Sequence, residues 1–275
     1  MRKNTLLWTL SFLITLSSAV YQRMTGPTYP MSGQATVGQR QFDYKLRRTH
    51  GGDSNHPVQI VTRDPQISGE VIWKRYPTSD AWAVAPMQYH EGVLSAELPW
   101  QPPAGKLEYR VKLTAPDGAV VVLPASGSAV IRFKGDVPVT ILILHVIAMF
   151  GAMLLSTRAG LEYFSDTGAS RWLLPWTIGL LVAGGIILGP VVQKYAFGAY
   201  WTGWPMGTDL TDNKTAVALL GWVGAYFAMR RSRRPLLWGL IAAVLLLVVF
   251  MIPHSLLGSE LRYEDGKPIP SQLGP

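Results

Sequence analysis

The chain has 275 residues, with 25 Lys and Arg against 17 Asp and Glu, a formal net charge of +8. Only 15% of residues are charged, against about 25% in a typical soluble domain, while 48% are hydrophobic and ten are Trp. There is no cysteine, which excludes disulfides, thiolate metal sites, iron–sulfur clusters, a Cys nucleophile and covalent haem attachment through Cys-x-x-Cys-His. A basic but charge-poor, Trp-rich chain points to the lipid bilayer rather than to nucleic acid.

In chain order, residues 5–20 form a first apolar run behind Arg2 and Lys3. Residues 1–21 are read as a transmembrane anchor; the same shape, ending in Leu-Ser-Ser-Ala, also fits a secretory signal cleaved after Ala19. Residues 22–136 change character: hydrophobic residues alternate instead of clustering. Segments 59–62, 70–73, 92–98, 107–113 and 129–133 read as half-buried strands, separated by turn-like breaks such as His50-Gly51-Gly52-Asp53 and Ala115-Pro116-Asp117-Gly118. About seven short strands in about 110 residues predict an external antiparallel β-sandwich of immunoglobulin or fibronectin type, with Tyr109 as a tyrosine-corner candidate. His50, His56 and His90 lack metal-ligand spacing and are expected to be ordinary surface histidines.

Four further apolar runs, residues 137–156, 172–192, 215–229 and 236–253, predict a four-helix transmembrane bundle over 137–260, followed by an external tail over 261–275. A spanning helix needs about 20 residues, so the 15-residue fourth run is expected to start earlier, near Asp212. In the third, Gly185-x-x-x-Gly189 fits close helix packing, and Pro175 and Pro190 are candidates for kinks. The whole is therefore an α+β membrane protein. Four Arg between Arg230 and Arg234 place that loop in the cytoplasm by the positive-inside rule, and alternation puts Met1–Asn4 and residues 157–171 there too. The predicted location is the bacterial inner membrane, with the N-terminus cytoplasmic and the β-domain and C-terminus periplasmic. Six of the eight net positive charges then fall on the cytoplasmic segments, so the basic balance is mostly a topology signal.

The chemistry concentrates at the outer side. The loop 193–214 has five aromatic residues between Tyr195 and Trp204, interleaved with Gly, Pro, Asp209 and Asp212. An interfacial aromatic belt explains several of them. Asp209 and Asp212 offer oxygens for a cation, with Lys194 and Lys214 as possible ion-pair partners, and Asp212 is also a natural N-cap for the fourth bundle helix. His145 lies about eight residues, or about 12 Å, below the outer end of its helix, where an ionisable group is expensive and usually faces the bundle interior. His254 follows the last helix. Neutral imidazole is a common haem ligand, and indoles pack well on a flat macrocycle, so His145 and His254 are candidate axial ligands with Trp201 and Trp204 as a platform. His145, Met149 and Met153 share one helical face, a spacing that also suits soft metal ligands.

The segment Phe197-Gly198-Ala199-Tyr200-Trp201-Thr202-Gly203-Trp204, with Asp209 and Thr215, resembles the tryptophan-rich signature of the haem-handling proteins of cytochrome c biogenesis, Trp-Gly-x-x-Trp-x-Trp-Asp-x-x-x-Thr. Gly198 and Trp201 match in place. Phe197 stands for the first Trp, Trp204 is displaced by one residue, and Pro205 stands where the Asp would follow. The resemblance implies haem b held by histidines that flank the loop. The chain as a whole resembles a widespread group of bacterial membrane proteins, a likeness that carries no function with it.

Three functions are expected from these features. The first is a non-catalytic membrane subunit or assembly factor of a larger envelope or respiratory complex, with other membrane or periplasmic proteins as partners. The second is a haem-binding or haem-handling protein in electron transfer or cytochrome assembly. The third is a transporter or channel with Asp209, Asp212 and Lys194 at its outer mouth. No Gly-x-Ser-x-Gly, Walker loop or dinucleotide fingerprint is present, so the reading leans away from an enzyme.

Overall fold

The computed structural model describes residues 2–165, 167–253, 261–264 and 267–269. The chain is α+β and divides into two units. One holds the helices, and the other holds residues Thr28–Asp136 together with the C-terminal strands.

The helical unit contains α1 (Arg2–Thr25), α2 (Val139–Leu161), α3 (Ser170–Phe197), α4 (Leu210–Arg231) and α5 (Pro235–Met251). Three of them, α1, α2 and α3, are long and apolar enough to cross a membrane. The 15-residue apolar run of the sequence lies inside α4, which also takes in the polar residues Thr211, Asp212, Asn213 and Lys214 before it and reaches 22 residues. Within α3, the stretch Val182–Leu188 is π-helical. Gly184 and Gly185 weaken the helical backbone there, and Pro190, at the start of the next regular turn, has no N–H to donate, which explains why the ladder widens at this place.

Small residues let the helices approach closely. A Cβ on Gly185 would lie 2.5 Å from Thr215 Cγ2 of α4, one on Gly184 2.8 Å from Ala148 Cβ of α2, and one on Gly160 2.5 Å from Ala243 Cβ of α5. Trp222 is fully buried among these helices, and its indole N–H donates to Ser156 Oγ at 3.0 Å. The helix α1 belongs to the same unit: Leu7 and Ser11 are buried, and the Gln22 side-chain amide donates to the Phe250 carbonyl.

Among the described residues the β-unit contains eleven strands between Met31 and Lys134, where about seven were expected, and two more near the C-terminus. The hairpin β1 (Met31–Val37) and β2 (Arg40–Leu46) turns at Gly38, whose φ is +56°. A six-stranded sheet runs in the order β3 (Thr49–Gly51), β11 (Ala129–Lys134), β9 (Lys106–Thr114), β5 (Ser68–Arg75), β6 (Ala83–Pro86), with β10 (Val120–Leu123) pairing the other half of β9's edge. A three-stranded sheet has the order β4 (His56–Val61), β8 (Val93–Leu98), β7 (Gln88–His90). All pairs are antiparallel except β3 with β11. Both sheets cover one core: Val58, Ile60, Leu94 and Leu98 pack with Val71, Val111, Ile131 and Phe133.

Four details depart from the sequence reading. The break at His50-Gly51 is partly strand, because β3 pairs parallel to β11. Tyr109 is fully buried, but its hydroxyl donates to the carbonyl of Arg47, 62 residues upstream, at 2.8 Å; a tyrosine corner bonds only a few residues back. His56 is not a surface histidine. It opens β4, whose burial alternates strictly, so His56 shares the inward face of Val58 and Ile60 and is only 3% exposed. Its Nδ1 meets His50 Nδ1 at 3.2 Å, while His50 Nε2 donates to the Ser54 carbonyl at 2.9 Å. Finally, the segment expected as an external tail contains a strand pair: β12 (Arg262–Glu264) pairs with β13 (Lys267–Ile269), and Tyr263 donates to Gln101 Oε1 at 2.9 Å.

Candidate functional site

The loop between α3 and α4 is built by residues at both of its ends. The helix α3 stops at Gly198, which takes the left-handed conformation (φ +87°) that favours glycine. The N-cap of α4 is Asp209, not Asp212: its Oδ1 accepts the Thr211 N–H at 2.7 Å. Asp212 sits in the first turn and reaches back over the loop, where its Oδ2 accepts the N–H groups of Thr202 (2.7 Å) and Gly203 (3.0 Å). The next residue, Asn213, accepts the Trp204 N–H at 2.7 Å. Three consecutive loop amides, which no regular structure satisfies, are thus met by two adjacent side chains of α4.

The Thr202 hydroxyl joins the two acids. It accepts from Gln193 Nε2 at 2.6 Å and lies 3.1 Å from Asp209 Oδ2. Asp209, Asp212, Thr202 and Lys214 are all buried. Lys214 Nζ donates to the Ile252 carbonyl at 2.7 Å and lies near enough to Asp209 for the opposite charges to interact. Lys194 Nζ donates to the Gly198 carbonyl at 2.8 Å. The candidate cation ligands Asp209 and Asp212 are therefore brought together, but each carboxylate already accepts backbone N–H groups. Among the described residues no group of three or more His, Asp or Glu converges on one point.

This frame presents apolar side chains outward. Trp204 is 78% exposed, Met206 71% and Tyr200 59%. Trp201 is half-buried, and its indole N–H donates to the Trp204 carbonyl at 3.1 Å. The two candidate platform residues thus belong to one turn.

His145 stands elsewhere in the helical unit. Its Nδ1 lies 2.9 Å from the Gly184 carbonyl in the π-helical stretch of α3. A carbonyl only accepts, so Nδ1 carries the proton and Nε2 keeps its lone pair. The ring lines a cavity of about 320 Å³ together with Met149 and Met153, the residues that share its helical face. His254, the other candidate axial ligand, lies outside the described residues.

A second polar cluster, at the other end of α2, was missed. Arg158 and Glu162 are fully buried and ion-paired, one helical turn apart. Arg158 also donates to Asn4 Oδ1 (2.7 Å) and Thr167 Oγ1 (3.1 Å), and its guanidinium lies 5.5 Å from the centre of the Trp8 ring. Glu162 Oε2 accepts the Thr167 N–H at 2.8 Å and the Ala169 N–H at 3.2 Å, which fixes the turn into α3. The i,i+4 spacing of the pair was the available signal.

No protein-family model matches this chain, and no curated protein matches it in sequence.

Proposed function

We propose that this protein is a non-catalytic integral membrane subunit or assembly factor of a larger envelope complex. In this reading all five helices cross the bacterial inner membrane with the N-terminus in the cytoplasm. The β-unit is a periplasmic immunoglobulin-like sandwich, and it and the α3–α4 loop are the docking surfaces. The observation that carries the reading is the construction of that loop. Buried Asp209, Asp212 and Thr202 spend their polar atoms on holding a turn whose outward side chains are Trp204, Met206 and Tyr200. Exposed apolar side chains carried on a hydrogen-bonded turn suit binding to a partner, because the backbone that presents them is held before contact. The exposed Trp82, Val84 and Trp100 of the β-unit add apolar surface of the same kind.

The test is the size of the assembly extracted from native membranes with a mild detergent. The wild-type chain is expected in one discrete complex, and Trp204→Ser with Met206→Ser is expected to release it as a folded single chain. A wild-type protein extracted only as a single chain contradicts the proposal.

Haem handling is the second reading, supported by the fixed tautomer of His145, which leaves Nε2 as a potential ligand. The cavity beside it, at about 320 Å³, is at the small end of the range for ligand sites, so a tetrapyrrole would extend beyond it. Haem would supply one-electron chemistry if bound. A Soret band in the purified protein, lost in His145→Ala, is the outcome that favours this reading, and a colourless preparation made with ample haem supply counts against it.

A further inference from the structure

The cavity beside His145 has a polarity of its own. Its walls are apolar and include Phe150 and Phe250, two aromatic faces, and the thioethers of Met149 and Met153. It reaches the outer surface of the helical unit along Leu142, Val146 and Phe150, which are 37–40% exposed. Among the described residues only two polar side chains line it, Gln22 and His145. Both spend a donor on a helix backbone carbonyl. His145 Nδ1 meets Gly184 O, and Gln22 Nε2 meets Phe250 O. What remains is an acceptor alone on His145, Nε2, and on Gln22 both Oε1 and the second N–H of its amide. The neutral imidazole has no second proton to give, and a charged one would be costly among these apolar walls.

The glycine at 184 makes the arrangement possible. A Cβ there would stand 2.9 Å from Met149 Sδ, so a side chain at 184 would press on the methionine beside the His145 hydrogen bond. The cavity falls at the low end of the roughly 300–1,000 Å³ of small-molecule sites, a size that fits one ring better than a macrocycle. An occupant that matches these walls is flat, apolar on its faces, soluble in lipid and able to donate hydrogen bonds at its edge. A carbonyl-bearing ring of the same shape would set its oxygen lone pairs against that of His145 Nε2.

We propose that this cavity binds a membrane-soluble ring diol of the quinol class, with one hydroxyl donating to His145 Nε2 and the second directed to Gln22. The inference is independent of the docking role assigned to the loop, and it concerns binding alone.

The test uses the full chain in nanodiscs of phosphatidylcholine free of quinone. Three probes are titrated under argon: a decyl benzoquinol, the corresponding benzoquinone, and the dimethyl ether of the quinol. Saturable binding of one quinol per chain is expected, about tenfold tighter than binding of the quinone or the ether, the factor typical of one hydrogen bond. His145→Phe is expected to remove that preference. Val146→Trp, at the exposed rim, is expected to block all three probes while leaving the melting profile unchanged. Equal binding of the three probes by the wild-type chain overturns the proposal, as does a preference that survives His145→Phe, or binding no greater than that of empty nanodiscs. The comparison of quinol with its ether needs no variant, so it stands even if His145→Phe fails to fold.

Discussion

His56 shows how one inward-facing position couples the β-unit to pH. Burial lowers its pKa to about 4, and the proximity of His50 and Arg47 adds to the effect. The folded protein therefore keeps His56 neutral where an unfolded chain, with a pKa near 6.5, takes up a proton. Stability is full above about pH 6.5 and falls as pH drops toward about 4, by an amount on the order of 2 kcal/mol. Thermal melts of the full chain between pH 7 and 5 should show a falling midpoint for the β-unit transition, and His56→Gln should flatten that slope. Arg158 and Glu162 make a sharper case. Each alone would be an uncompensated buried charge, so Arg158→Met or Glu162→Leu is expected to cost about 3–5 kcal/mol, and the double replacement distinctly less than the sum. A double-mutant cycle on melting in detergent checks this; additive losses would mean that the two side chains act independently.

At the scale of elements, the glycines of α3 matter more than its prolines. Gly185→Ala would place a methyl group 2.5 Å from Thr215 Cγ2, with little slack on either helix, so about 1–3 kcal/mol of destabilisation is expected, against a negligible effect for Gly179→Ala, which faces open space. Comparing the melting midpoints of the two variants tests it. The strands whose hydrophobic residues alternate cleanly were legible in the sequence: β5, β8, β9 and β11 fall on the expected segments, and β9 alternates over its whole length. The hairpin β1–β2 was not, because its alternate positions carry Gly33, Ala35, Gln34 and Thr36, which give little hydropathy contrast. The α3–α4 loop was legible as aromatic-rich but not as a folded turn. Its order depends on pairings between residues nine or ten apart, such as Asp212 with Thr202 and Asn213 with Trp204, and no local periodicity marks these. His56 could have been recognised from the alternation His56, Val58, Ile60; its loop-like neighbours obscured it.

For the whole molecule, the proposed topology makes a direct prediction, helped by the absence of native cysteine. Ser126→Cys, on an exposed turn of the β-unit, should react with a membrane-impermeant maleimide in intact spheroplasts, while Ser232→Cys, in the arginine-rich turn between α4 and α5, should react only after permeabilisation. The reverse pattern would invert the bundle. The two units divide the work in this account: the helices carry the lipid-facing cavity at His145, and the β-unit and the Trp204 turn carry the partner surface. The central claim is that this turn is a docking surface. It is tested most directly by placing a photo-crosslinking amino acid at Trp204 in the native membrane and resolving the adducts after irradiation. The account predicts one discrete protein adduct of fixed mass. Adducts to lipid alone, in a chain that is otherwise folded and correctly inserted, would contradict it.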